Sequence, residues 1–445
     1  MRKVMQENRR MLIASLVVFA GISLVFFRLT HVSDVFRSRA TTWFMMDFFS
    51  AVYYPVVAFL SGENPYNMER FFALYPVGDS FPLYLPAIFL LHLPLGILPA
   101  HVASIVYFSL TIALMFLLVL VCLSLYKIKI TIADVLLIGG LLLLSRPGHG
   151  NLLLGQPTLQ IVLASYIALS FVRRSTIISG FGLAVSIIKP TFGIPIALLM
   201  LAQGYIRQVF YAAFIAIPIN LFFITILVDR SGGVNNFIEL LFNNYHIYMN
   251  DIAVNPVSSH GVDLNPFISH FIGEPLNSVT QLTILVAVLG VAGWVLRPTA
   301  RPADETFLTL SIGIVCLATL LSMHHQAYDL LLLTLPFIGL VFHKFPHEFY
   351  TSYRYGLSTS LLTILALNYT VTNAVIPMGQ TASALWLVLV SINTVVLLVL
   401  FFLWMRSAHL ARSAAAASSE ALRLQVPPPG AFPITQSVQV LKHLP

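Results

Sequence analysis

Residues 102–126 read VASIVYFSLTIALMFLLVLVCLSLY, twenty-five consecutive positions without a charged side chain. As an α-helix rising 1.5 Å per residue, such a segment is about 37 Å long. That is enough to cross the ~30 Å hydrocarbon core of a bilayer. Comparable runs recur at 11–27, 83–99, 132–145, 157–172, 176–190, 191–203, 207–228, 279–296, 306–322, 327–343, 356–376 and 382–405. The 445-residue chain is 58% hydrophobic and 9% charged, with a mean hydropathy of +0.88. Soluble domains carry about 25% charged residues, so a water-facing fold would leave most of this surface apolar. The sequence therefore predicts an all-α membrane protein, a polytopic helical bundle occupying residues 1–405 as one domain. An Ala/Ser stretch and Pro427–Pro429 mark residues 406–445 as a poorly ordered cytoplasmic tail.

Lys and Arg set the expected orientation. Arg2, Lys3, Arg9 and Arg10 precede the first run. Arg173, Arg174, Arg207, Arg297, Arg301, Lys344, Arg406 and Arg412 follow later ones. Assigned to the cytoplasm, they put both termini inside and leave segments 28–82 and 229–278 outside, the former with interfacial helices. Two inside termini require an even number of crossings. The thirteen runs thus reduce to about twelve spans, with one run between 83 and 145 re-entrant or peripheral. The first run lacks a small-residue cleavage site and is expected to stay as a helix. The net charge of +7 comes from clusters between apolar runs, which argues against nucleic-acid binding. Cys122 and Cys316 lie within apolar runs and read as small core residues.

With 17 acids in the chain, each ionisable group near hydrocarbon carries information. Asp47 lies in WFMMDFFSAVYYPVVAFLSGENPYN, where a helix would put Asp47, Ala51 and Tyr54 on one face and end at Gly62. It reads as a general base at the membrane surface or as a helix-start acid favoured by the dipole. In SMHHQAYDLLLLTLP, His325 and Asp329 stand at i and i+4, the spacing of a carboxylate–imidazole pair. A metal site or an interfacial cap are the other readings of this cluster. Lys189-Pro190 interrupts an apolar stretch, as an anion-binding break would or as a snorkelling lysine would. SRPGHGNLLLGQPTLQ, with Arg146, His149, Asn151 and Gln156, reads as a discontinuous helix or a plain loop. The chain has no GxxxxGK[ST], HExxH, GxSxG or Cys/His zinc pattern.

Five blocks in order carry a resemblance. They are Asp47 with Tyr53, Tyr54 and the Gly62-x-Asn64-Pro65-Tyr66 turn; Tyr84 with Pro86; NLLLGQ from Asn151 to Gln156; Lys189-Pro190; and His324-His325 followed by the run to Pro336. Over roughly residues 44–340 the chain resembles glycosyltransferase family 87, the polyprenyl-phosphate-mannose-dependent mannosyltransferases of the GT-C fold. It departs from the family in the LLSM lead to the two histidines.

The resemblance implies an inverting glycosyltransferase at the outer membrane face. It would move a sugar, mannose above all, from a polyprenyl-phosphate carrier to a glycolipid or glycan acceptor. Asp47 would be the base. Lys189 and His325, joined by His324 and Arg146, would hold the donor phosphate. Tyr54, Asn64, Tyr66, Gln156, Tyr328 and Asp329 would line the sugar and acceptor pocket. No second acid flanks Asp47 as in a DxD pair, so no cofactor and no divalent metal are expected. A pentosyl (arabinofuranosyl) transferase of the same fold and a secondary transporter or lipid flippase are the alternatives. The transporter is disfavoured by the lack of an internal repeat and by polar groups gathered at one face.

Overall fold

A computed structural model of the chain describes residues 2–35, 45–78, 80–81, 84–250, 255–257, 260–297, 305–370 and 384–425. Among them are helices and connecting turns and no strand. The first helix is α1 (Arg2–Val35). A π-helical turn, Phe48–Tyr53, leads into α2 (Tyr54–Leu60), followed by α3 (Met68–Leu74), α4 (Ala87–Gly96), α5 (Ala100–Leu125), α6 (Ile132–Leu144) and α7 (Arg146–Leu154). Then come α8 (Thr158–Ser170), α9 (Thr176–Ser186), α10 (Pro190–Ala202), α11 (Ile206–Arg230), α12 (Val234–Asn250), α13 (Leu264–Ile272), α14 (Ser278–Leu296) and α15 (Glu305–Ser322). A 3₁₀ segment, Ala327–Leu333, precedes α16 (Thr334–Val341), α17 (His347–Tyr350), α18 (Tyr353–Leu367) and α19 (Ala384–Gln425). α19 thus continues through the first part of the expected tail. Residues 426–445, Arg301 and the end of the 356–376 run lie outside the described residues.

Six described helices are long and apolar enough to cross a bilayer, within α1, α5, α11, α14, α15 and α19. The number is seven if α6 and α7, which meet at 71°, form one broken span. Most of the remaining apolar runs fold as helices of 10–17 residues. The reason is local. Pro86 precedes α4, Gly155 and Pro157 separate α7 from α8, and Pro190 starts α10, and proline cannot donate into a continuing helix. Expectation and structure therefore agree on an all-helical membrane protein, while six or seven long helices stand where about twelve spans were expected.

Burial separates centre from periphery. The apolar window of α15 is 83% buried, against 17% for α1 and 28% for α11 and α14. The peripheral helices expose large apolar side chains such as Phe19, Ile105, Phe214 and Val286, as lipid-facing helices do. Close approach within the bundle uses glycine. A Cβ at Gly182 would come within 2.6 Å of Ala164 O and Ala168 N, so α9 packs directly on the backbone of α8. Gly182→Val should cost about 1–3 kcal/mol through this overpacking and lower the melting temperature of the purified protein. Gly290→Ala, where no atom lies within 4 Å, should leave it unchanged. Equal melting temperatures for both variants would refute the tight α8–α9 contact.

Charged loops define the two ends of the bundle. Glu305, at the start of α15, meets Lys127 at 2.8 Å and Arg174 at 3.3 Å. Arg412 of α19 reaches the carbonyls of Val295 and Arg297. α15 carries the chain about 27 Å away from that end. At the far end Arg230 of α11 donates to Phe59 O at 2.7 Å and Glu63 O at 3.0 Å, clasping the end of α2. α6 runs parallel to α1, with Gly140 beside Val17 and Val18 and Gly21 beside Leu143. This brings Arg28 and Arg146 towards the same end.

Candidate active site around Asp329 and Asp47

Asp329 is the hub of a buried cluster. It is 1% exposed and lies in the first turn of the 3₁₀ segment. Oδ1 accepts from Lys189 Nζ at 2.6 Å and from Thr158 Oγ1 at 3.0 Å. Oδ2 lies 3.0 Å from His325 Nδ1 and accepts from the Gln326 backbone N–H at 3.1 Å. A buried carboxylate needs such partners, because removing a charge from water is costly unless it is matched and fully hydrogen-bonded. Lys189 reaches it because Pro190 starts α10 and holds Lys189 in an extended conformation at the N-cap. Its ammonium also lies 4.9 Å from the Phe192 ring centre and 5.2 Å from that of Tyr328. The expected i, i+4 pairing of His325 with Asp329 is present. It fixes Nδ1 as the donor, while Nε2 is buried and has no described partner.

Asp47 joins this cluster through one amide. Gln156 Nε2 donates to Asp47 Oδ2 at 2.6 Å and to Tyr328 Oη at 3.1 Å, while its Oε1 accepts from Tyr84 Oη at 3.1 Å. Gly155 makes this possible. It caps α7 at φ 71°, and a Cβ there would lie 2.6 Å from Phe48 Cβ. The Met45 N–H bond to Leu153 O, 2.8 Å, fastens the same segment. Asp47 itself is half-buried.

The other expected residues divide. Tyr328 and Asp329 belong to the network, and His324 sits beside it. Burial, with His325 next in rank, pushes the His324 imidazole down to about 4, so it is neutral at pH 7. Tyr54 packs against Phe49, Tyr53 and Tyr75. The π turn between Asp47 and Tyr54 adds a residue to the helical repeat and moves Tyr54 off the phase read for an α-helix. Tyr66 is buried with its hydroxyl on Tyr84 O at 2.6 Å. Asn64 accepts from Tyr66 N at 3.0 Å and donates to Ser231 Oγ at 2.8 Å. Both therefore brace the loop that carries Tyr84. Arg146 makes no hydrogen bond or ion pair with Lys189, His325 or Asp329.

Sequence reading missed Thr158 and Asp263. Asp263, fully buried, caps α13 and accepts from the His325 backbone N–H at 3.0 Å and from Asn265 N at 3.0 Å. The Val262 N–H bond to His325 O, 2.9 Å, completes a two-point clamp on the histidine backbone. The Asp263-Leu-Asn-Pro start of α13 was the available signal, a helix N-cap. Burial pushes the Asp263 carboxyl up from 3.8 to about 7. The folded protein therefore holds this proton where the unfolded chain releases it. Its contribution to stability is full below about pH 4 and lost as pH rises through about 7. The wild-type melting temperature minus that of Asp263→Asn should accordingly fall across that window. A difference flat in pH would contradict it.

Among the described residues no group of three His, Cys, Asp or Glu is placed to hold a metal ion. No curated protein and no solved structure matches the chain. The family model described as glycosyltransferase family 87 matches residues 83–323. The match includes Gln156, Lys189 and Asp263, and it stops just before His324 and His325. It spans more than half of a helical membrane chain whose acid, lysine and histidine meet in one hydrogen-bonded network, and the protein thus belongs to glycosyltransferase family 87 and is a glycosyltransferase.

Proposed function

We propose that the protein transfers a sugar, mannose foremost, from a polyprenyl-phosphate carrier to a hydroxyl of a glycolipid or glycan acceptor, with inversion, at the outer face of the membrane. The observation that carries this reading is the Gln156 bridge between Asp47 and Tyr328, the neighbour of the Lys189–Asp329–His325 cluster. An inverting displacement needs a base on one side of the anomeric carbon and a phosphate clamp on the other. Asp47 accepts the acceptor hydroxyl proton as its oxygen attacks the anomeric carbon. The bond from that carbon to the phosphate oxygen breaks, and its electron pair leaves with the carrier phosphate. The incoming phosphate competes with Asp329 for the Lys189 ammonium, and the adjoining His325 and neutral His324 add polar contacts as charge develops.

Placing Lys127, Arg174, Arg297 and Arg412 in the cytoplasm satisfies the positive-inside rule and puts the network at the outer end. In this reading the shorter helices complete a GT-C-like bundle of about twelve spans, some of them below full bilayer thickness. No metal is invoked. The test is transfer of label from radiolabelled polyprenyl-phosphate-mannose to a new lipid or glycan, using purified protein in nanodiscs supplied with a bacterial membrane lipid extract. Label in a new product is expected. Transfer from a polyprenyl-phosphate pentose instead would change the donor sugar. No transfer from either donor, with carrier movement across a liposome bilayer, would replace transfer by transport.

A further inference from the structure

Arg146 opens α7 just beyond the 71° bend. Its Nη1 is buried and has no partner. One turn on, His149 is fully buried, and neither ring nitrogen makes a hydrogen bond of full geometry, with the Leu143 backbone as its near neighbour. Its ring lies edge-on to Tyr369 at 6.2 Å, and Tyr369 is anchored by its 2.6 Å bond to Leu144 O. From the segment before Asp263 comes His260, buried, with Nε2 also unpartnered. Burial, followed by the charges of Arg146 and His270, pushes it down to about 4, which makes it a neutral hydrogen-bonding group at pH 7. The parallel packing of α1 on α6 adds Arg28, whose charge opposes that of Arg146.

The packing of α1 on α6 and the start of α7 thus gather two guanidinium groups at one end of the bundle, near the buried imidazoles of His149 and His260, with no carboxylate among the described residues paired to either arginine. The neighbouring acids are engaged elsewhere, Asp47 with Gln156, Asp263 with His325 N and Asp329 with Lys189. Native structures satisfy buried polar groups, and a buried cation is costly without a counter-charge. Guanidinium beside neutral imidazole matches the planar, multi-acceptor surface of a phosphate.

We propose that Arg28, Arg146, His149 and His260 form a phosphate-binding site separate from the Lys189–Asp329–His325 cluster. It takes a phosphate mono- or diester, and its existence does not depend on Asp47 acting as a base. Three probes distinguish the source of the phosphate: inorganic phosphate, phosphatidylglycerol and a sugar-free short-chain polyprenyl phosphate. Each is added to full-length protein in phosphatidylcholine nanodiscs while thermal unfolding is followed. At least one probe should raise the wild-type melting temperature by about 2 °C or more. The part of that rise that comes from this site, over and above any binding at the Lys189–Asp329–His325 cluster, should vanish in Arg146→Gln, shrink in Arg146→Lys and persist in His325→Gln. Without any probe, Arg146→Gln should melt at or above the wild type, because it removes an unpaired charge facing Arg28. If Arg146→Gln does not yield folded protein, Arg28→Gln gives the same readout. The proposal fails if no probe produces an Arg146- or Arg28-dependent rise, or if His325→Gln abolishes the rise equally, which would make the two sites one.

Discussion

Asp47→Asn should lower the transfer rate by about two to four orders of magnitude, the usual contribution of a positioned general base. The change is nearly isosteric. An Asn oxygen still accepts from Gln156 Nε2, which now stands 2.6 Å from the carboxylate, so the network and the melting temperature should survive. What disappears is the proton acceptor. Donor binding, made by groups on the other side of the bridge, should be preserved, and the loss should appear in kcat rather than in KM for the donor. The wild type should also show an acid limb in its pH–rate profile that the variant lacks. Transfer by the variant within tenfold of wild type would remove Asp47 as the base and leave it a loop-positioning group.

The largest effect on stability should come from Asp329→Ala. One substitution leaves the Lys189 ammonium, His325 Nδ1 and Thr158 Oγ1 without their shared acceptor. Breaking a buried pair from one side typically costs about 3–5 kcal/mol, since an uncompensated charge remains. The melting temperature should fall sharply, and activity with it. The double variant Lys189→Met with Asp329→Leu separates the causes. It removes both charges together, so it should regain much of the lost stability while remaining inactive. Single and double variants that melt alike would show that the pair is not an interdependent buried unit. An active double variant would remove the cluster from the phosphate side of the reaction.

What could be read in advance follows the range of each interaction. The Lys189-Pro190 break and the His325–Asp329 pair were legible because their geometry is set within four residues, by a proline ring and by a one-turn spacing. The Gln156–Asp47 bond joins positions 109 residues apart, and Thr158 meets Asp329 across 171. No local pattern encodes such pairs. Arg146 and Lys189 show the converse. Both were cations at helix breaks, alike in sequence, yet one is paired with Asp329 and the other has a buried Nη1 without a partner. Tyr54 moved off its expected phase because a π turn, which hydropathy does not reveal, intervenes after Asp47.

The sequence by itself determined that this is a helical membrane protein, where its helices break, and, through five ordered blocks, its glycosyltransferase family. Hydropathy and proline act locally and need no partner. Only the tertiary structure decided which helices reach bilayer length, that one glutamine couples Asp47 to the Asp329 cluster, and that Lys189 joins that cluster while Arg146 does not. Those features depend on which distant helices pack together, and burial, which makes an unpaired charge costly, exists only once they have.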